Sequence, residues 1–105
     1  MVSSWMTPRA LSKEDIQRAL ATLPGWTGDE TALRKRYQFD DFPAAMRFMQ
    51  RCVAGIERSN HHPSWTNTYN TVDVVLNTHD LGGKVSQLDV DLATHLESIW
   101  ATSSR

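Results

Sequence analysis

The sequence predicts an α+β layer fold: a single domain with a four-stranded antiparallel sheet and helices packed on one face, in the order α-β-β-α-β-β-α. Three observations carry this reading. Stretches whose apolar residues recur every three or four positions alternate with pairs of stretches whose apolar residues recur every two. Each pair is joined by a link of hairpin length, too short for the crossover that parallel strands require. Each helical stretch also opens on a Ser or Asp suited to an N-cap. A length of 105 residues is that of one domain with one core.

Residues 1–10 show no periodicity and read as a loose tail, with the domain occupying 11–105. Ser12 and Asp15 form a capping-box start. Ile16, Ala19, Leu20 and Leu23 follow at helical spacing, which predicts a helix over 13–22, stopped by Pro24-Gly25. Trp26-Thr27 and Leu33 to Phe39 read as a strand pair around Gly28-Asp29-Glu30. Leu33, Lys35, Tyr37 and Phe39 share one face, and Lys35 makes that face only partly apolar. Asp40-Asp41 and Pro43 start a second helix over about 42–58, with Phe42, Ala45, Met49, Cys52, Val53 and Ile56 as its apolar stripe. Arg47, Arg51 and Arg58 lie on a different, solvated stripe. Pro63 breaks the helix. Trp65 to Tyr69 and Thr71 to His79 then form a hairpin about Asn70, and Leu81-Gly82-Gly83-Lys84 turns the chain. The last helix carries a capping box, Ser86 with Asp89, a staple pair in Val85 and Val90, and a ridge of Leu88, Leu92, Leu96 and Ile99.

Eleven basic against twelve acidic residues leave a net charge of −1, which argues against a mainly electrostatic nucleic-acid binder. No apolar run approaches the roughly 20 residues of a membrane span, and the N-terminal residues lack a signal-peptide pattern. A lone cysteine, Cys52, excludes an internal disulfide framework and suits a reducing, cytoplasmic setting; on the apolar stripe of a helix it reads as a buried, inert thiol.

Chemistry concentrates on histidine. Of four, His61, His62 and His79 fall where regular structure ends, and imidazole titrates near neutrality and serves as acid, base or ligand. Zinc held by these three with Asp80 or Asp89 is a competing reading. Spacing opposes it, because Pro63 keeps His62 extended and adjacent extended residues point opposite ways. The two can more easily touch different parts of one flat organic ligand. A blander account makes His-His-Pro a helix stop, with His61 at the negative end of the second helix. His95 reads as a surface residue, and the capping box explains Asp89 without any chemistry.

Glu57-Arg58-Ser59-Asn60-His61-His62-Pro63, then Tyr69, His79 and Asp89, resembles the signature of the pterin-4a-carbinolamine dehydratases. The likeness extends through Gly25-Trp26, Phe39-Asp40-Asp41-Phe42, Phe48-Met49, Trp65, Tyr69-Asn70 and Thr78-His79, covering about residues 12–100. It implies the α+β fold already derived, a homodimer or homotetramer, and dehydration of 4a-hydroxytetrahydropterin to the quinonoid dihydropterin. That step recycles the cofactor of aromatic amino-acid hydroxylases, the implied pathway partners. The resemblance puts His61, His62 and His79 on the family's active-site histidines and Asn60, Asn77, Thr78 and Asp80 on its pterin-contacting segments. Trp26 matches an aromatic near the pocket, and Glu57 and Asp89 are supporting residues. Asn60 departs from the more common Asp, which removes a possible imidazole orienter.

His61 and His79 are then the expected proton-transfer groups, with His62 orienting the ring and Glu57 polarising an imidazole. Asp89 is expected to be structural. No metal or redox cofactor is implied, since loss of water changes no oxidation state. Two other classes stay open. The first is a binding or assembly module of the same fold, such as a dimerisation cofactor of a homeodomain transcription factor or an enzyme-assembly factor, for which the helix at Phe42–Ile56 would be the oligomer face. The second is a zinc-dependent hydrolase.

Overall fold

The computed structural model describes residues 8–105; most of the segment expected to be a loose tail, residues 1–7, lies outside the described residues. Ser12 caps helix α1, Lys13–Leu20, by accepting a hydrogen bond from the Asp15 amide, and only Ile16 of this helix is fully buried. Strands β1, Thr27–Asp29, and β2, Ala32–Gln38, form the first hairpin. Asp41 caps helix α2, Phe42–Ser59, through the Ala44 amide, with a proline in its first turn. Strands β3, Ser64–Thr68, and β4, Thr71–Leu76, form the second hairpin. Helix α3, Gln87–Ala101, starts at the predicted Ser86–Asp89 capping box. The sheet is antiparallel throughout, in the order β1-β2-β4-β3, which confirms the predicted fold class. No helix among the described residues is long and apolar enough to cross a membrane.

One face of the sheet carries the core. Leu33, Tyr37, Val72, Val74 and Leu76 are buried together with Phe48 and Cys52 of α2 and Leu92, Ala93 and Leu96 of α3. The Tyr37 ring stacks at tilted angles on Phe48, 4.8 Å between centroids, and Trp100, 5.0 Å. The opposite face is polar, with Arg36 paired to Asp73 at 2.7 Å.

Four expectations need correction. Lys35 does not leave its face half open. Its ammonium reaches Glu97 Oε2 at 2.7 Å and the Pro24 carbonyl at 2.8 Å, so the charge is paired where it is buried. The buried stripe of α2 runs through Ala44, Ala45, Phe48, Cys52, Gly55 and Ile56. Phe42 and Val53, expected on it, are 46% and 40% exposed, as is Met46 at 43%. The buried side combines small residues with Phe48 and Ile56, and Phe42, Met46 and Val53 lie outside it. His95 is wedged between helices: its Nε2 lies 3.1 Å from the Cys52 carbonyl and its ring covers Gly55, where a Cβ would collide with it. Finally, β4 ends at Leu76 rather than His79. Thr78 bridges to Lys84, and His79–Leu81 make one 3-10 turn closed by Gly82 and Gly83, both in the left-handed region.

Candidate functional site

Sheet register decides which residues meet. β3 runs antiparallel to β4 with Ser64 opposite Val75, so the residues entering β3 lie beside those leaving β4. The entering residues are Asn60 to Pro63 and the leaving residues are Asn77 to Asp80. Asn60 supports this corner as the C-cap of α2, at φ 50° and ψ 36°, a left-handed conformation that Asn tolerates better than most residues. The 3-10 turn lifts His79 off the sheet edge.

The result is a cavity of about 290 Å³. Asn60, His61, His62, Asn77, Thr78, His79 and Asp80 line it, and Pro8 and Leu88 add an apolar wall. Seven of the eight residues proposed for ligand contact therefore share one cavity. Trp26 is the exception and is corrected here. It is buried in the core, edge-on to Tyr37 at 6.3 Å between ring centroids, and its indole N–H donates to Glu97 Oε2 at 3.1 Å.

Two imidazoles are held by carboxylates. His61 Nε2 lies 2.6 Å from Asp89 Oδ1, with the His61 side chain 10% exposed and Asp89 fully buried. The other Asp89 oxygen accepts from the Ser86 amide at 2.9 Å and from the Thr78 hydroxyl at 2.8 Å. Asp89 thus makes the expected capping box and also orients His61, which corrects its purely structural assignment. Thr78 also lines the cavity, with its hydroxyl taken up by Asp89 and Ser86. His62 Nε2 lies 2.7 Å from Glu57 Oε2, an exposed pair on the last turn of α2. His79 is exposed and makes no side-chain hydrogen bond with another described residue. The two paired imidazoles are anchored to different carboxylates. Among the described residues no group of three His, Cys, Asp or Glu side chains is arranged to hold a metal ion.

Sequence reasoning missed Glu97. Its Oε2 gathers the Lys35 ammonium, the Tyr37 hydroxyl at 2.5 Å and the Trp26 indole, joining α3 to β2 and to the loop before β1 at the margin of the core. Burial and this carboxylate push the Tyr37 phenol well above its ordinary range. The one available signal was Lys35, a charge on an otherwise apolar strand face.

The family model for pterin 4 alpha carbinolamine dehydratase matches residues 9–99. The chain belongs to this family. A pterin-4-alpha-carbinolamine dehydratase, so named provisionally, from Opitutus terrae is 48% identical over 92 residues, covering 88% of this chain and 95% of the relative. A crystal structure of a transcriptional coactivator/pterin dehydratase from Brucella melitensis superposes with a TM-score of 0.81 at 34% identity, over 87% of this chain and 98% of that one. A pterin dehydratase-like protein identified as a RuBisCO assembly factor in the alpha-carboxysome shares the fold, with a TM-score of 0.58 at 22% identity over 75% and 89% of the two chains. The pterin dehydratase fold is thus the architecture in which the three-histidine cavity is set.

Proposed function

We propose that the chain is a hydro-lyase that converts 4a-hydroxytetrahydropterin to quinonoid dihydropterin and water by histidine acid/base catalysis. The observation that carries this reading is three imidazoles bordering one small cavity, one of them backed by a buried carboxylate. The reaction breaks the C4a–O bond as N5 loses its proton and the C4a=N5 bond forms. The departing oxygen needs a proton and N5 needs an acceptor. His61 and His79 supply these transfers, each typically worth ~10²–10⁴-fold. His62, tied to Glu57, orients the ring. Asn60, Asn77 and Asp80 offer the mix of donors and acceptors suited to the 2-amino-4-oxo edge of a pterin.

No Lys or Arg lines the cavity among the described residues, and Asp80 adds negative charge. This supports an unphosphorylated substrate, since no fixed Lys or Arg charge stands beside Asp80 to pair with a phosphate. In a cell that oxidises tetrahydropterin through aromatic amino-acid hydroxylases, such an enzyme would recycle the cofactor.

The reading extends to self-association. Phe42, Met46, Met49 and Val53 follow one another at spacings of four, three and four along α2, the pattern of a helix-pairing seam. Three of them are at least 40% exposed. A second copy of this chain, presenting the same seam, is the proposed occupant, giving a homodimer or homotetramer. The same seam supports the second reading, a non-catalytic binding or assembly module.

The deciding experiment follows dehydration of freshly generated 4a-hydroxytetrahydropterin by wild type, His61→Ala and His79→Ala. Acceleration by wild type that drops roughly 10²-fold or more in both folded variants is expected. An unchanged rate in both would remove the histidines from the mechanism. A folded wild type without acceleration would favour the assembly module.

A further inference from the structure

We propose that Thr78 and Ser86 are positioning residues that fix the imidazole tautomer of His61 through Asp89. The proton assignment follows from counting donors. A carboxylate only accepts, so at 2.6 Å from Asp89 Oδ1 the His61 Nε2 carries the hydrogen. Asp89 Oδ2 accepts from the Ser86 amide and the Thr78 hydroxyl. Thr78 has one hydroxyl hydrogen, which is spent on Asp89. The 2.6 Å contact between Thr78 Oγ1 and Ser86 Oγ is therefore donated by Ser86. Ser86 Oγ in turn accepts from the Leu88 amide at 3.2 Å. Thr78, Ser86 and Asp89 are all buried, and no buried side-chain polar atom among the described residues lacks a partner.

The chain of donors thus runs one way, from Leu88 N–H to Ser86, Thr78 and Asp89, and Asp89 meets the Nε2–H of His61. A hydrogen on His61 Nδ1 alone would leave two acceptors facing each other at 2.6 Å in a nearly dry site. Nδ1 is left as the ring nitrogen that can exchange a proton with a ligand. The helix cap and the catalytic imidazole share one carboxylate, so the start of α3 sets the aim of His61. The catalytic consequence rests on the dehydratase reading, whereas the tautomer does not.

The test is two-bond proton–nitrogen NMR of the histidine rings in the full chain, without ligand, at a pH where His61 is neutral. Wild type is expected to show His61 as the Nε2–H tautomer alone. Thr78→Val, which keeps the side-chain shape and removes the hydroxyl, leaves Asp89 Oδ2 only the Ser86 amide, so the carboxylate turns away from His61 in part of the population; a mixture of tautomers and turnover lowered about tenfold are expected. Thr78→Ser is expected to restore the single tautomer and most of the rate. Ser86→Ala interrogates the same chain from its other end. A wild-type His61 protonated at Nδ1 would overturn the proposal, whether or not any variant folds. A single Nε2–H tautomer that persists in both Thr78→Val and Ser86→Ala would also overturn it. Tautomer shifts as expected in a chain that fails to accelerate dehydration would support the proposal and remove the dehydratase reading instead.

Discussion

Asp89 shows how one side chain can hold two positions at once. It closes the capping box of α3 and, from the other oxygen, grips the His61 ring. Asp89→Asn keeps the volume and one acceptor but sets an amide against an imidazole that needs a carboxylate. We expect turnover to fall by ~10² or more with the circular dichroism spectrum retained, by analogy with carboxylate-to-amide changes behind other catalytic imidazoles. Equal turnover in the variant would separate His61 from Asp89 functionally. Cys52 makes the contrasting case. Burial pushes its thiol from 9.0 up to about 12. The folded state therefore holds this proton more tightly than the unfolded chain does. The resulting stability is fully present below about pH 9 and is lost as pH rises toward 12. Chemical denaturation should show stability declining over that window, with a shallower decline in Cys52→Ala. An identical slope in the two proteins would refute this assignment. Tyr37, raised for the same reason, adds to the decline at higher pH.

At the scale of elements, α2 and α3 meet across Gly55 and His95. The glycine is required by the close approach of the imidazole, since a Cβ at 55 would run into the His95 ring. Gly55→Ala should cost about 1–3 kcal/mol by overpacking, despite its better helix propensity. Adding His95→Ala should recover part of that loss. Thermal or denaturant unfolding of the single and double variants measures the coupling, and strict additivity would show that the two residues do not press on each other. Of the two candidate caps, Asp40 and Asp41, the structure selects Asp41, and helical periodicity placed α2 within one residue of each end. It misjudged the buried side, because Phe42, Met46, Met49 and Val53 form as regular an apolar stripe as the one facing the core. Periodicity reports that a face is apolar and says nothing of what covers it.

At the scale of the whole molecule, the described chain buries one face of one sheet and leaves Phe42, Met46 and Val53 of α2 at least 40% exposed, beside Met49, which packs partly on the core. Val53→Glu, alone and combined with Met46→Glu, should therefore shift the protein toward the monomer in sedimentation velocity while leaving the secondary structure intact. A wild type that sediments as a monomer at high concentration would remove the self-association proposal. Three of the four seam residues are exposed, and none of the four lines the histidine cavity. The proposed self-association and the proposed chemistry are thus expected to be separable by mutation.

The sequence by itself determined the order of elements, the three helix caps, the alternating faces of β2 and β4, and the residues that carry the family signature. These are local properties, written in spacings of two to four residues and in short motifs. Only the tertiary structure decided that Trp26 serves the core rather than the cavity, that Lys35 is answered by Glu97 sixty-two residues away, and that Asp89 reaches across to His61. The reason is that a buried polar group takes whichever partner the packing of distant elements brings within 3 Å. The cavity has the same origin. Antiparallel register sets residues 60–63 beside 77–80, and the depth of α3 against that corner supplies the carboxylate beneath them.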